Sequence, residues 1–314
     1  MNTKKSAVKN TRTIPQKLAG DFRMNWQVYL LLLPVILFYA IFYYKPMYGI
    51  ILAFKEYSPA GGITGSEFIG LENFTEFFTS RFFVRVLKNT LRISLFTLLI
   101  GFPIPIIFAL LLNEIPFRRF TKTVETMAYM PHFISLVVMC GLVREFVSDD
   151  GIITQLCRVF GYTGGQMLND ENLFVPIYII SGLWQEMGWG SIIYIAAILG
   201  VDKALYEAAT IDGAGKLKQC LHITIPGIMP TIITMLILQL GQVMNVGFEK
   251  IILLYNPNTY IKADVISSYV YRTGLQDFRY GYSTAVGLFN SVINFGLVYG
   301  ANWISRRANG TSLW

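Results

Sequence analysis

Six long apolar runs constrain this chain more than any other feature of its sequence. A helix needs roughly 17–25 predominantly apolar residues to cross a bilayer. The runs are Trp26–Tyr44, Leu91–Leu112, Met127–Val143, Leu173–Leu199, Gly227–Phe248 and Tyr282–Ile304. They are continuously apolar rather than alternating, which is typical of membrane helices and not of barrel strands. The sequence therefore predicts an all-α integral membrane protein with six transmembrane helices.

Composition excludes the soluble domains that a length of 314 residues would otherwise allow. Hydrophobic residues make up 54% of the chain, charged residues only 14%, and the mean hydropathy is +0.48. The first run is too long and starts too late to be a cleaved signal peptide. The third run is the weakest of the six, because it is short and contains Pro131, His132 and Ser135.

The distribution of Lys and Arg predicts the orientation, since cytoplasmic loops carry an excess of these residues. With a cytoplasmic N-terminus, the inner segments 1–25, 113–126, 200–226 and 305–314 hold 14 basic and six acidic residues, whereas the remainder has a net charge of −1. We therefore expect both termini in the cytoplasm. The predicted divisions are a basic tail 1–25, a first helix 26–44, an extracytoplasmic loop 45–90, a five-helix core 91–304 with a cytoplasmic loop 200–226, and a tail 305–314.

The sequence contains no motif for catalysis, cofactor binding or metal coordination. His132 and His222 lie on opposite sides of the membrane in the predicted topology, and no His/Cys cluster has metal-ligand spacing. The step Gly215-Lys216 lacks the upstream glycine of a phosphate-binding loop. The pI of 9.2 reflects basic residues spread over inner loops, without the basic-aromatic platform of a nucleic-acid site. We expect neither an enzyme nor a nucleic-acid binder. If the protein moves a solute against its concentration gradient, the energy must come from a partner or an ion gradient.

A compact polar insert, YEAATIDGAGKLKQCLHITIP, separates the fourth and fifth runs. Lys203–Ile211 is predicted to form a short helix that ends at Asp212-Gly213, because glycine adopts backbone angles that other residues avoid. A second segment, Lys216–Thr224, runs to a proline suited to the first turn of the next span. The pattern indicates a helix-turn-helix hook on the cytoplasmic face. The alternative is an interfacial helix on lipid headgroups, although alanines stand where a lipid anchor favours Leu, Phe or Trp.

Eight residues of the insert form an ordered motif: Glu207, Ala208, Ala209, Asp212, Gly213, Ala214, Ile223 and Pro226. The motif resembles the EAA loop of ABC-importer permeases, in which E-A-A is followed by a glycine and later by I-x-x-P. In that family the loop rests in a groove of a separate cytoplasmic ATPase. The resemblance implies that these residues couple the chain to ATP hydrolysis, that ATP and Mg bind to the partner ATPase, and that this chain itself binds no cofactor or metal.

Further stretches extend the resemblance from about Trp26 to Arg307. They are FIGLENFTEFF (68–78), YMPHFIS (129–135), GLWQEMGWGSIIYIAAI (182–198), LLYNPNTYIKADVISSYVYR (253–272) and YGYSTAVGLFNSVINF (280–295). They are similar to carbohydrate permeases of the maltose-permease type, and more particularly to the LplB/YtcP-like branch. The resemblance implies a MetI-like fold and oligosaccharide import across the bacterial cytoplasmic membrane. The implied partners are a second related permease in a heterodimer, two cytoplasmic ABC ATPase subunits and an extracytoplasmic sugar-binding protein.

Polar side chains inside the last three runs indicate a substrate pathway, because such groups are costly in a membrane and face the protein interior or water. Gln239, Gln242 and Asn245 recur every three residues, which predicts one helical face. The candidate contacts are Gln185, Glu186, Gln239, Gln242, Asn245, Asn290, Asn294, Trp184, Trp189 and Tyr194. Carboxamides supply the donors and acceptors that sugar hydroxyls need, and Glu186 and Gln242 are the leading candidates. Alternatively, the amides bond between helices and hold the bundle together.

Two classes of transporter remain open at this point. One is the permease subunit of an ATP-driven oligosaccharide importer. The other is an ion-coupled secondary carrier for a small polar solute, working alone. Such carriers usually contain structural repeats, broken helices and several buried acids, whereas this chain has only Glu186 in mid-membrane. The importer is therefore favoured.

Overall fold

The computed structural model describes Phe22 and residues 24–309, and these residues are mostly helical. Most of the predicted tail 1–25 and residues 310–314 of the predicted tail 305–314 lie outside the described residues, and the last helix includes residues 305–309. The chain divides into two compact units, Met1–Ile51 and Leu52–Trp314.

The first unit is helical through almost all of its described length. An α-helix, Trp26–Tyr39, continues through a π-helical turn, Ala40–Tyr44, into Lys45–Met47 and then a 3₁₀ segment, Tyr48–Phe54. No residue of the first three segments is buried. A helix that is apolar on all sides and exposed on all sides suits contact with lipid rather than water.

The second unit contains the remaining helices and one small sheet. Its α-helices are Gly62–Gly65, Glu72–Thr79, Phe83–Phe96, Pro103–Glu114, Arg118–Tyr129, Leu136–Phe146, Ile152–Val159, Phe174–Leu199, Lys203–Ile211, Lys216–Gln219, Ile225–Leu240, Phe248–Leu254, Tyr260–Ala263, Ile266–Tyr271 and Tyr280–Asn309. Its π-helical turns are Thr97–Gly101, Cys220–Thr224 and Arg272–Gln276, and its 3₁₀ turns are Met130–Phe133 and Met167–Asn169. The strands Lys55–Glu56 and Glu67–Phe68 pair antiparallel, with Lys55 opposite Phe68.

Several helices meet the length and composition needed to cross a membrane. Within the described residues they are Trp26–Phe54, Phe83–Glu114, Lys216–Leu240 and Tyr280–Arg307. A bent pair, Arg118–Phe133 with Leu136–Phe146, makes a fifth if it is one broken span. The helix Phe174–Leu199, which we call the central helix, has 26 residues and is therefore about 39 Å long at 1.5 Å per residue. It is not among the four, and its middle carries Gln185 and Glu186.

The third predicted span is not the continuous helix that Met127–Val143 suggested. Its two halves meet at an angle of 103°. Pro131 lies in the 3₁₀ turn before the break, and Ile134 is extended, with ψ of 130°. Ser135 then starts a new helix, because its hydroxyl accepts a hydrogen bond from the backbone N–H of Val138 at 3.4 Å.

The central helix lies at the middle of the packing in the second unit. Its first half joins a buried cluster that includes Phe174, Met139 and Ile251. Its second half contributes Tyr194 to another cluster. At Gly188 a Cβ atom would overlap the backbone carbonyl of Ala128, so glycine is what allows the helix Arg118–Tyr129 to approach this closely.

Candidate functional site

The first arm of the hook is the helix Lys203–Ile211, with the bounds that the sequence predicted. The helix begins there because the Asp202 carboxylate accepts a hydrogen bond from the N–H of Ala204 at 2.9 Å. Glu207 and Ala208 are exposed and Ala209 is half-buried. The structure thus presents a carboxylate and a small side chain side by side on an accessible surface.

The turn of the hook depends on Gly213, which has a φ of +76°. This left-handed conformation is one that residues with a Cβ rarely adopt, so the predicted need for glycine is confirmed. The N–H of Ala214 donates to the carbonyl of Ala209 at 2.8 Å, and the N–H of Gly213 donates to that of Thr210 at 3.1 Å. These two bonds close the end of the first arm. Asp212 is exposed at the tip.

The second arm differs from the sequence prediction at its far end. Lys216–Gln219, the π-helical turn Cys220–Thr224 and Ile225–Leu240 form one continuous helical stretch. Pro226 lies in the first turn of Ile225–Leu240, as predicted, but this helix continues directly from the second arm, and Ile223 belongs to the π-helical turn between them. A π-helical turn changes the backbone hydrogen-bonding pattern locally, and this one ends two residues before Pro226, which has no N–H to donate. The hook is thus joined to the membrane helix without a loop.

Side-chain hydrogen bonds hold the two arms of the hook together. The Gln219 carboxamide donates to the Thr210 hydroxyl and to the Ala214 carbonyl, both at 3.0 Å. The hydroxyls of Tyr206 and Thr224 lie 2.9 Å apart. Sequence reasoning missed these four side chains, because the pairings depend on how the two arms fold against each other.

The surface of the hook is more apolar than the sequence suggested. Leu205, Ile211 and Leu217 are all exposed, and Ile211 is 88% exposed. Beside them a cavity of about 610 Å³ is lined by residues that include Glu207 and Lys203. The surface of the hook thus combines exposed apolar side chains with the accessible carboxylate of Glu207.

Polar residues of the central helix contact the break in the third span. Gln185 is buried and its carboxamide donates to the Ile134 carbonyl at 3.3 Å. Glu186 is exposed, and its carboxylate lies 3.0 Å from Nδ1 of His132. The His132 ring stacks on Trp189, with ring centroids 4.5 Å apart and planes within 2°. Gln185 therefore supports the break, while Glu186 belongs to an accessible acid-histidine-tryptophan cluster.

The predicted polar face of the fifth span is wrong, because the helix ends at Leu240. Gln242 and Asn245 lie in the irregular segment that follows. The side-chain oxygen Oδ1 of Asn245 accepts hydrogen bonds from the side-chain amides of Asn290 and Asn294, at 3.0 and 3.1 Å. Asn294 in turn accepts from the backbone N–H of Met244 at 3.0 Å. These asparagines tie the end of the fifth span to the last helix, which is the structural role that the alternative interpretation gave them.

Two neighbouring cavities contain the remaining candidate contacts. Gln185, Glu186 and Gln239 line a cavity of about 400 Å³, together with Thr97 and Lys250. Sequence reasoning did not select these last two residues, because Thr97 is an ordinary residue of an apolar run and Lys250 lies just beyond the fifth run.

The second cavity measures about 200 Å³ and is lined by Gln239, Gln242 and Asn245. The three aromatic candidates differ in exposure. Trp184 and Trp189 are exposed, but Tyr194 is only 4% exposed. Tyr194 packs with Ala109, Ile198 and Ile228, so its ring has no free face on which a sugar can stack.

Comparison with known proteins identifies the family. Residues 101–310 match the family described as binding-protein-dependent transport system inner membrane component. The chain belongs to this family. Protein LplB of Bacillus subtilis is 42% identical over 92% of this chain and 91% of its own length. YteP, a polygalacturonan/rhamnogalacturonan transport system permease protein of the same organism, is 43% identical over 89% and 88%.

Solved structures agree with this membership. A crystal structure of a bacterial ABC transporter involved in the import of the acidic polysaccharide alginate contains a similar chain, with a TM-score of 0.87 and 44% identity, covering 93% of this chain and 99% of that one. A second structure shows the alginate transporter in complex with an alginate pentasaccharide-bound periplasmic protein, again with a TM-score of 0.87. The fold is therefore that of ABC-importer permeases, and the chain is a multi-pass membrane component of a transport system.

Proposed function

We propose that this chain is the transmembrane permease subunit of an ATP-driven importer, and that it translocates an oligosaccharide delivered by an extracytoplasmic binding protein. The observation that carries the proposal is the hook, in which Glu207 and the left-handed Gly213 occupy the positions of the EAA motif on an accessible surface. The relative YteP is named as a polygalacturonan/rhamnogalacturonan permease, the similar solved transporter imports the polysaccharide alginate, and that transporter was also solved with a sugar-loaded periplasmic protein.

In the proposed topology, six spans cross the bacterial cytoplasmic membrane and both termini lie in the cytoplasm. Four apolar helices and the bent pair support five of these spans, and the length of the central helix supports the sixth. The 14 basic residues in segments 1–25, 113–126, 200–226 and 305–314 taken together, against six acidic ones, support the cytoplasmic location of these segments. In this arrangement the hook projects into the cytoplasm, and the loop 45–90 lies outside.

The hook is proposed as the coupling element, and the chain itself as a subunit without catalytic activity. ATP and Mg bind to two partner ATPase subunits, and the eight motif residues from Glu207 to Pro226 transmit their movement to the membrane helices. The continuous stretch Lys216–Leu240 supports this role, because a force on the hook reaches the fifth span without a flexible joint.

A second, related permease completes the proposed pathway as a heterodimer. The cavity beside the central helix, with Glu186 and Gln239 in its lining, supports sugar contact on this side of the path. Trp184 and the face of Trp189 opposite His132 are proposed to stack on sugar faces, because both side chains are exposed.

Uptake into proteoliposomes tests the proposed function. Oligosaccharide should accumulate only when this chain, the second permease, the ATPase, the binding protein and ATP are all present. An ion-coupled carrier would instead transport solute with this chain alone and an ion gradient, and that result would overturn the proposal.

Glu207→Ala tests the coupling role within the same assay. Losing one partner of a buried charged hydrogen bond typically costs about 2–5 kcal/mol, so the variant should retain less ATPase on the purified complex while still pairing with the second permease. Glu145→Ala removes another exposed carboxylate, on a helix outside the hook, and should retain the ATPase normally.

A further inference from the structure

A buried lysine, Lys250, lines the cavity of about 400 Å³ beside the central helix. Lys250 is 7% exposed. Among the described residues, no carboxylate oxygen lies within 4 Å of its Nζ atom. Burying an ammonium group is costly unless a charge or hydrogen bonds compensate it. A lysine kept in such a place needs a physical reason.

The position of the ammonium group is fixed by the central helix. Nζ donates to the carbonyl oxygen of Tyr178 at 2.7 Å and lies 4.5 Å from the centroid of the Tyr178 ring. A Cβ atom on Gly182 would lie 3.0 Å from Nζ, so the absence of a side chain there leaves room for the ammonium. A lysine ammonium has three donors, and the Tyr178 carbonyl occupies one of them. The remaining donors are available to a ligand in the cavity.

Other polar groups in the lining lack partners as well. The Thr97 hydroxyl is buried without a hydrogen-bond partner among the described residues. No hydrogen bond joins the Gln239 carboxamide to another described side chain or backbone group. Glu186 also lines the cavity, but its carboxylate is next to His132. Together the lining offers an ammonium group with no carboxylate within 4 Å, a hydroxyl, a carboxamide and an acid.

We propose that Lys250 makes this permease selective for acidic oligosaccharides, by binding the carboxylate of a uronate unit in the cavity. The inference rests on the proposed function, because it requires the oligosaccharide to pass this cavity. A carboxylate accepts strong, charge-assisted hydrogen bonds from an ammonium group. The hydroxyls of the same sugar unit match Thr97, Gln239 and Glu186. The cavity volume falls within the roughly 300–1,000 Å³ typical of small-molecule sites.

Equilibrium binding of labelled trigalacturonate to the complete transporter in nanodiscs, without the binding protein, tests this proposal. Its fully methyl-esterified form has the same length and no charge. The wild-type complex should bind trigalacturonate more tightly than the ester. Lys250→Met should weaken trigalacturonate binding about tenfold or more, which corresponds to loss of one charged hydrogen bond, and should leave binding of the ester unchanged. Lys250→Arg should retain most of the preference.

Two further variants separate charge selection from folding. Gly182→Ala keeps the charge but places a methyl group against Nζ, so it should reduce trigalacturonate binding without affecting the ester. Lys88→Met removes an exposed lysine that does not line the cavity and should change neither. Equal loss for both sugars in Lys250→Met and Gly182→Ala would overturn the proposal, as would a wild-type complex that does not distinguish the two sugars.

Measurements of ATP-driven uptake distinguish failure of the Lys250 proposal from failure of the proposed importer function. ATP-driven uptake of a neutral oligosaccharide, without any preference for trigalacturonate, would contradict the role of Lys250 and leave the importer function intact. Absence of ATP-driven uptake for both acidic and neutral oligosaccharides would contradict the importer function itself.

Discussion

At the scale of single residues, the backbone of Gly213 controls the shape of the hook. Its φ of +76° costs a residue with a Cβ roughly 1–2 kcal/mol, and a β-branched side chain is still less tolerant. Gly213→Val should therefore reach the membrane and pair with the second permease, but it should lower retention of the ATPase or abolish sugar-stimulated ATP hydrolysis. Both quantities can be measured on the purified complex.

Gly215 provides the matched control for this substitution. It lies two residues further on, with a φ of −68°, and has no atom within 4 Å of a built Cβ. Gly215→Val should therefore retain the ATPase nearly as the wild type does. Normal retention and normal stimulation in Gly213→Val would show that the left-handed turn has no part in coupling.

Glu186 carries the clearest prediction for the pathway. Glu186→Gln keeps the size of the side chain and removes its charge, so the contact with His132 at 3.0 Å and any contact with sugar hydroxyls become weaker. We expect slower sugar uptake in proteoliposomes, with unchanged assembly. Asp149→Asn, at another exposed acid, is the control. Unchanged uptake kinetics in Glu186→Gln would limit Glu186 to a packing role.

Local chemistry explains which site residues the sequence could predict. Gly213 follows an Asp at the end of a short helical pattern, and its backbone angle depends on the chain immediately around it. The role of Asn245 could not be predicted from its neighbours in sequence, because it depends on where the preceding helix ends. The helix ends at Leu240, and the segment after it is held through Asn245 by Asn290 and Asn294, which are distant in sequence.

At the scale of helices, the hook is a pair of arms whose geometry depends on Gln219. Its carboxamide makes two hydrogen bonds, one to Thr210 of the first arm and one to the Ala214 carbonyl in the turn, each at 3.0 Å. Gln219→Met keeps the length of the side chain and removes both bonds, and each typically contributes about 0.5–1.5 kcal/mol. We expect a looser hook, measured as reduced sugar-stimulated ATP hydrolysis at normal expression.

A double-mutant comparison tests whether the brace is responsible. Thr210→Val removes one of the two acceptors of Gln219, so its effect should not add fully to that of Gln219→Met. Fully additive effects, or normal stimulation in Gln219→Met, would mean that the brace does not contribute to coupling.

The third span shows why helix bounds were only partly predictable. Pro131 and Ser135 weaken the run visibly in the sequence, and a proline and an N-capping serine are local signals. The bend of 103° also depends on Gln185, which satisfies the free carbonyl of Ile134 from another helix. That contact is tertiary, so a run of apolar residues alone cannot reveal it.

At the scale of the whole molecule, composition predicted the class of protein and the family motif predicted its fold. Neither predicted where each membrane span begins and ends. Phe83–Glu114 begins eight residues before the predicted run, because helices continue past the apolar residues that face lipid. The central helix differs in another way. It is long enough to cross a membrane, but Gln185 and Glu186 interrupt its apolar sequence near the middle. The proposed topology therefore needs a test of its own.

The natural cysteines supply this test. Cys140 is buried, whereas Cys157 and Cys220 are half-buried. In the proposed topology Cys157 lies outside, between the third and fourth spans, and Cys220 lies inside, on the second arm of the hook. Two variants that retain one cysteine each, made by changing the others to Ser, report the two sides separately.

A membrane-impermeant maleimide should label the Cys157 variant in intact cells stripped of their wall. It should label the Cys220 variant only after the membrane is permeabilised, because the hook then becomes accessible from the cytoplasmic side. A variant that retains only Cys140 should remain unlabelled under both conditions, since that thiol is 1% exposed. Labelling of Cys220 in intact cells would place the hook outside the membrane. An external hook cannot contact a cytoplasmic ATPase, so this result would remove the physical basis for coupling through Glu207 and Gly213.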